Sequence, residues 1–283
     1  ITGMEPDPRN EAHMLIEECM IAANVCAATF VKNMQYETLY RIHDRPNEQK
    51  LDKLRAILSR YGIDLGGGDK PSPMDFKKAN DQIKKLDPAV QGVISLQMLR
   101  AMSKAQYSPD NIGHFGLALE NYAHFTSPIR RYPDLQLHRV IKFILEKQEK
   151  RSWGKIGAQQ YTHEALSALG IRCSEREIAA DDAEFDVDNS LKCEYLKHFE
   201  NEVVDGTVAT VSDMGVFITL NDFYIDGLLS NDYLVKRNVG DQVFEVPGIK
   251  NTFHVGDQIK VRVSKVDSLN RFITLLPLVN AKK

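Results

Sequence analysis

VVDGTVATVSDMGVFITL, residues 203–220, alternates apolar and polar residues with period two and breaks once, at Ser-Asp-Met-Gly. Such alternation reads as two short half-buried strands joined by a tight turn. The pattern continues in DGLLS (226–230), QIKVRVSKV (258–266) and RFITLLPL (271–278), all rich in β-branched residues and bounded by Gly, Asp or Asn. Five such runs after residue 199 predict a small antiparallel barrel, and among five-stranded barrels the OB-fold commonly binds oligonucleotides or oligosaccharides. Gly206, Gly215, Gly227, Gly240 and Gly256 fall where turns and barrel bends need them.

Upstream of residue 196 the period changes to that of helices. EAHMLIEECMIAANVCAATFVKNM predicts a helix over about 10–34, and an amphipathic helix follows Arg45-Pro46-Asn47 and ends at Gly62. GGGDKPSPMD is a loop, after which helices are expected near 73–86 and from Pro88. GHFGLALENYAHFTSP holds short aromatic-rich pieces expected as strands, PDLQLHRVIKFILEKQEK is helical, KRSWGKIGAQ (150–159) is a linker, and SEREIAADDAEFDVDNSLKCEYLKHF is a long helix with an acidic face. The expected class is α+β: a largely helical domain over 1–198, then a five-stranded antiparallel OB-fold barrel over 199–283.

Bulk composition, 43% hydrophobic and 27% charged with net charge −3, announces no polyanion partner, so any nucleic-acid site must be a local patch. The four cysteines form no CxxC pair and no His-spaced cluster, which argues against structural zinc and a disulfide scaffold and fits a reducing cytoplasm. No run of about 18 wholly apolar residues is present and the first residues are too polar for a signal peptide, so no membrane partner is expected. The chain opens without methionine and reads as a piece of a longer polypeptide.

HFTSPIRRYPD (124–134) places Arg130 and Arg131 where a helix should begin. Ser127 suits an N-cap and Pro128 a first turn, so the helix is expected to start near 127. Cations at that end cost a few tenths to about 1 kcal/mol each unless something negative answers them. Either a phosphate does so, gripped by guanidinium forks and free amides, or an internal acid such as Asp134 or Glu120 does. Tyr122, Phe125 and Tyr132 are equally open between core packing and stacking on bases.

IEECMIAAN (16–24), RIHDRP (41–46), GHFGLAL (113–119) and HFTSPIRRYPDLQLHR (124–139), in that order, resemble the catalytic domain of the RNB exoribonuclease family, the ribonuclease II and ribonuclease R enzymes. The tail resembles the OB-fold RNA-binding domain of ribosomal S-one type that follows it there. The resemblance implies a processive, magnesium-dependent hydrolase that removes 5′-mononucleotides from the 3′ end of single-stranded RNA. It gives Arg130 the catalytic position beside the scissile phosphate, with His124, Thr126, Ser127, Arg131 and Tyr132 around the substrate and Asp134 completing the motif. Glu17 and Asn24, seven apart on one helix face, either form a polar seam that reaches the RNA sugar, as the resemblance implies for this helix, or Glu17 merely caps a neighbouring element, and Glu18 rivals Glu17. Glu177, Asp181 and Glu184 form a carboxylate row; the wording departs from the family's at Glu177-Ile178-Ala179, so only Glu184 is retained, against the alternative of a solvated acidic face.

In the barrel, Phe217, Tyr224 and His254 are candidate contacts for bases, together with Phe223, and Lys236, Arg237, Lys260, Arg262 and Arg271 for phosphates. Phe217 is equally open as a core residue. The histidine usual after the third strand is replaced in GLLSNDYL. The aspartate-rich motif that holds magnesium in the family has no counterpart, since only Glu5 and Asp7 precede the first helix. No metal ligands are therefore expected here, the missing catalytic segment of the same polypeptide is an expected partner, and the chain alone is expected to be inactive. A non-catalytic RNA-binding scaffold or assembly factor is the alternative, and a protein-interaction module a third reading.

Overall fold

The computed structural model of the chain describes residues 1, 3–4, 10–150, 157–249 and 251–278. Most of the expected linker at 150–159, and both Glu5 and Asp7, lie outside the described residues. The class is α+β. Backbone contacts divide the chain into two compact units: a barrel unit of Ile1–Glu5, Glu48–Ala101 and Asp182–Lys283, and a helical unit of Pro6–Asn47 and Met102–Asp181.

The helical unit is built on α1 (Glu11–Asn33) and α5 (Tyr132–Glu149). Asn10 caps α1 by accepting the His13 N–H, Glu11 sits in its first turn and Lys32 in its last, each sign matching the helix dipole. Its buried residues Asn24, Ala27, Ala28 and Val31 recur at helical spacing, and the alanines let α5 approach with Leu137, Val140 and Ile144. By length and composition alone α1, which contains an 18-residue window of mean hydropathy 1.6, would also suffice to cross a membrane, although Glu17 and Glu18 interrupt it. A two-stranded antiparallel pair, β1 (Tyr40–Ile42) and β2 (Gln106–Ser108), crosses the unit, and the first half of α6 (His163–Leu196) lies against it. Gly170 of α6 permits that approach, because a Cβ there would come 2.5 Å from the Tyr107 carbonyl oxygen.

The stretch 113–123 does not form strands. Isolated bridges join His114 to His43 and to Leu119, and Phe115–Leu117 makes one 3₁₀ turn. Aromatic content raised strand propensity there, but the alternation needed for a ladder is lacking.

In the barrel unit, β3 (Val203–Ser212), β4 (Gly215–Leu220), β5 (Ile225–Ser230), β9 (Gln258–Asp267) and β10 (Phe272–Pro277) close in the order β10-β5-β4-β3-β9, with β10 and β5 parallel at the closure. These are the five runs read from the sequence. Val208, Val211, Val216, Ile218, Leu229, Val261, Val263 and Leu275 fill the interior, each worth about 1.5–3 kcal/mol of burial. Three further strands, β6 (Lys236–Asn238), β7 (Val243–Glu245) and β8 (Thr252–His254), form a separate small sheet in the connection between β5 and β9. They are too short for a periodicity to register.

Helices α2 (Glu48–Arg60), α3 (Pro73–Ile83) and α4 (Pro88–Ala101) belong to this same unit. A bulge in β3 leaves Ala209 outside the ladder to β4, and its carbonyl accepts from Gln97 Nε2 of α4 at 2.6 Å. Tyr61, just past α2, donates to the Val255 carbonyl at 3.0 Å, and Gly256 beside it leaves room for the phenol.

Candidate nucleic-acid interface

Helix α5 begins at Tyr132, not near 127. A helix running from 128 would carry Pro133 past its first turn, where the ring collides with the carbonyl four residues back. Starting at Tyr132 places Pro133 in the first turn and Asp134 at its third position. Ser127 therefore caps no helix. Its carbonyl instead accepts the Arg130 and Arg131 N–H groups at 3.3 and 3.0 Å, closing a turn over Pro128, Ile129 and Arg130.

The segment leading into that turn is fastened along its length. Asn24, 2% exposed, donates from Nδ2 to Tyr122 Oη at 3.1 Å and accepts the Phe125 N–H at 2.9 Å. His138 contacts the Phe125 carbonyl through Nε2 at 2.9 Å and stacks on the Phe125 ring at 4.2 Å. Asp134, wholly buried, accepts the Ser127 N–H at 2.7 Å and Arg131 Nη2 at 2.8 Å, both on Oδ1. Of the two answers open for the paired arginines, the internal acid therefore holds for Arg131, and Asp134 supplies it.

Arg130 differs. It is exposed, and among the described residues its guanidinium makes no hydrogen bond or ion pair. Ile129 beside it is fully exposed. Tyr132 is partly exposed and receives Arg139 Nη1 on its hydroxyl at 3.2 Å, with the guanidinium 5.7 Å from the ring centre. The Thr126 hydroxyl is buried without a partner among the described residues.

Next to this loop lies a polar cluster whose assembly sequence reasoning missed, although His124 and Glu177 were each singled out. Arg41 of β1 pairs with Glu177 of α6 at 2.5 Å and covers the Tyr107 ring at 4.6 Å. The Tyr107 hydroxyl lies 2.8 Å from His124 Nδ1 and 3.4 Å from Glu177 Oε1. His43 accepts the Gly116 N–H on Nδ1 at 3.0 Å, so its proton sits on Nε2, which faces the Ser103 carbonyl at 2.8 Å. His43 and His114 stack at 5.1 Å, and Tyr122 packs edge-on against both His114 and His124. Burial, then Arg131 and Arg41, pushes His124 down to about 3; burial, then His43 and Arg41, pushes His114 down to about 4. Both imidazoles are neutral near pH 7. Burial raises the Tyr107 phenol, which stays protonated. His124 carried a sequence signal as part of the HFTSPIRRYPD motif and Glu177 as a member of the α6 acidic row; Arg41 and Tyr107 join them from distant segments.

The remaining candidates separate. Glu17 is exposed on α1 while Asn24, on the same helix, is buried with both ends of its amide engaged, so the two do not present one surface. Glu184 is exposed on the part of α6 that belongs to the barrel unit. On the barrel, Phe217 is half-buried between Val216 and Ile218, both fully buried, so its side chain points outward. Tyr224 is 57% exposed at a left-handed turn position. Phe223 is core, packed on Phe199 at 4.9 Å, and offers no stacking face. His254 sits on the separate sheet with its N–H and ring turned to the Asp257 carboxylate, at 2.8 and 3.4 Å. Arg237 is tied to the Ser212 and Asp213 carbonyls, Lys260 to Asp205, Lys236 to Glu245 and Arg271 to Asp186; Arg262 forms no ion pair among the described residues. No group of three His, Cys, Asp or Glu residues able to hold a metal ion occurs among the described residues.

Residues 1–147 match the RNB domain family and residues 197–275 the S1 RNA binding domain family. Ribonuclease R of Vibrio cholerae is 42% identical over 281 residues, covering 96% of this chain and 34% of the relative; that of Escherichia coli is 41% identical with the same coverage. The chain thus spans about a third of the length of these relatives. Among solved structures, Mycoplasma genitalium RNase R in complex with ribose-methylated single-stranded RNA superposes with a TM-score of 0.84 at 22% identity, over 96% of this chain and 42% of that one. Yeast Ssd1, described as a pseudonuclease, superposes with a TM-score of 0.63 at 22% identity, over 92% and 31%. Because the RNB match takes in just over half of the residues and the closed barrel falls within the second match, the chain belongs to the RNB family and carries an S1 RNA-binding domain.

Proposed function

We propose that this chain is the RNA-binding and phosphate-positioning part of a processive 3′-to-5′ exoribonuclease that acts on single-stranded RNA in the cytoplasm. The observation that carries the reading is Arg130: an exposed guanidinium without an internal partner among the described residues, on a loop fastened at Tyr122, Phe125 and Ser127. A fixed loop holds the charge in one place, and a guanidinium fork matches the oxygens of a phosphodiester. Arg41, Tyr107, His124 and Glu177 form the polar wall beside it, in which the neutral His124 ring donates or accepts hydrogen bonds without adding charge. The barrel holds the strand more loosely, with Phe217 and Tyr224 offering stacking faces and Arg262 a phosphate contact. All four cysteines are free, in keeping with a reducing compartment.

In this family magnesium, when bound, polarises the phosphate and activates water. The described residues offer no ligand set that fits it, and no step through the metal is derived for them. The carboxylates are assigned to another segment of the same polypeptide. The second reading is an RNA-binding scaffold that never cleaves, favoured by the lack of a metal-capable group among the described residues and by the sharing of this fold with a protein described as a pseudonuclease.

Incubation of the purified 283-residue chain with labelled single-stranded RNA and magnesium tests the proposal. Binding that weakens steeply with salt, without metal-dependent cleavage, is expected. Robust magnesium-dependent cleavage by this chain would refute the division of labour. Failure to restore cleavage when the acidic upstream segment of a relative is joined to the chain would favour the scaffold.

A further inference from the structure

The sequence puts two arginines side by side, and chemistry alone does not say which should face solvent. We propose that the buried Asp134–Arg131 pair is the positioning device that makes this choice: it holds the Ser127–Arg131 turn shut, with Arg131 inward and Arg130 outward. Arg131 is then a positioning residue and not a ligand for RNA. The inference rests on the reading that Arg130 meets a phosphate.

One carboxylate oxygen does two tasks. Asp134 Oδ1 accepts the Ser127 N–H at 2.7 Å, fixing where the turn starts, and Arg131 Nη2 at 2.8 Å, fixing the side chain where the turn ends. Arg131 itself is extended, with φ −118° and ψ 119°, as the residue preceding α5. The Ser127 carbonyl closes the turn from the other side on the Arg130 and Arg131 N–H groups. Between these points the chain has only Pro128, Ile129 and Arg130 to place, and proline restricts the first of them. The two guanidinium groups therefore differ in accessibility, with the Arg131 side chain 20% exposed and Arg130 exposed.

The charge of the pair matters as well as its shape. A wholly buried carboxylate needs a cation in contact, and Arg131 is the one that supplies it here. Removing that charge releases Arg131 from its inward position and lets the turn open, so Arg130 loses its fixed place.

The test is a double-mutant cycle on the 283-residue chain, read as affinity for a fluorescent single-stranded oligouridylate at fixed low salt. Asp134→Asn keeps the shape and an acceptor for Ser127 but removes the charge. It is expected to weaken binding about tenfold, the size of one lost charge-assisted contact. In an Arg130→Ala background the same substitution should change affinity by less than about twofold, because the device would have nothing left to position. Asp134→Asn/Arg131→Gln, a neutral pair of similar shape, should recover most of the loss, and it serves as the folded comparison should Asp134→Asn alone unfold. Equal loss in both backgrounds, unchanged or tighter binding with Asp134→Asn, or no recovery in the neutral pair would overturn the inference. Unchanged binding by Arg130→Ala alone would overturn the reading beneath it as well, which separates the two failures.

Discussion

The two units present their candidate contacts on opposite materials. Of the six buried polar residues described, Asn24, Thr38, His43, Asp134 and Gln136 lie in the helical unit and only Thr207 in the barrel unit. The helical unit commits polar groups to its interior, two of which, Asn24 and Asp134, hold the loop at 122–131, at the cost that every buried group must keep its partner. The barrel has an almost wholly apolar interior and carries its candidate contacts on the outside of strands and turns. A buried polar framework gives a single well-defined locus; an apolar barrel tolerates change on its surface and spreads its candidate contacts over several points.

The largest expected break between the two comes from acid. His124 and His114 are held neutral, down to about 3 and about 4, whereas the unfolded chain protonates both below about 6.5. Between those values the unfolded state binds more protons, so stability falls as pH drops. The stabilisation present above about pH 6.5 is lost towards pH 4, by up to about 1.4 kcal/mol per pH unit for His124 and by less for His114, whose greater exposure lets solvent screen it. Chemical denaturation followed at a series of pH values should show this slope, and His124→Gln should flatten it. A pH-independent midpoint from 7 to 4.5 would contradict the assignment of the rings as neutral.

A single buried amide ranks next. Asn24→Ala leaves the Phe125 N–H without its acceptor and the Tyr122 hydroxyl without its donor, and should destabilise the protein by about 2–4 kcal/mol. Urea denaturation measures this directly, and a loss under about 1 kcal/mol would mean that the loop is not held by Asn24.

How much of this was legible in the sequence follows the same division. The barrel strands could be read because burial in a half-exposed strand writes itself as period-two alternation, and Val216-Phe217-Ile218 carries it residue by residue. Helices α1, α2, α4 and α5 were legible from their own spacing, and Arg130 stood out as a charge at an unfavourable place. The start of α5 was misread because Ser127-Pro128 offers every local cue for a helix start, while Pro133, further on, decides the matter. The cluster of Arg41, Tyr107, His124 and Glu177 joins segments as far apart as 136 residues, so no local pattern marks it. His254 and Phe223 were credited with accessible rings, yet their exposure depends on a separate sheet and on the Phe199 contact, neither of which leaves a trace in residue order.

The smallest effect on stability is expected on the barrel surface, and it sharpens the contrast most. Phe217 lies across from Leu228 on the neighbouring strand, with its ring directed away from the core filled by Val216 and Ile218. Removing a core phenylalanine costs about 3–5 kcal/mol, but a half-exposed one leaves no closed cavity, so Phe217→Ala should lower stability by only about 1 kcal/mol. A base stacked on that ring would be worth about 1–3 kcal/mol, so affinity for single-stranded RNA should fall roughly five- to 150-fold. Thermal melting and an RNA titration on the same sample separate the two. A large drop in melting temperature with little change in affinity would move Phe217 into the core and leave Tyr224 as the outward aromatic of the β4–β5 turn, whereas the opposite outcome makes the outer face of β4 a surface on which RNA is held.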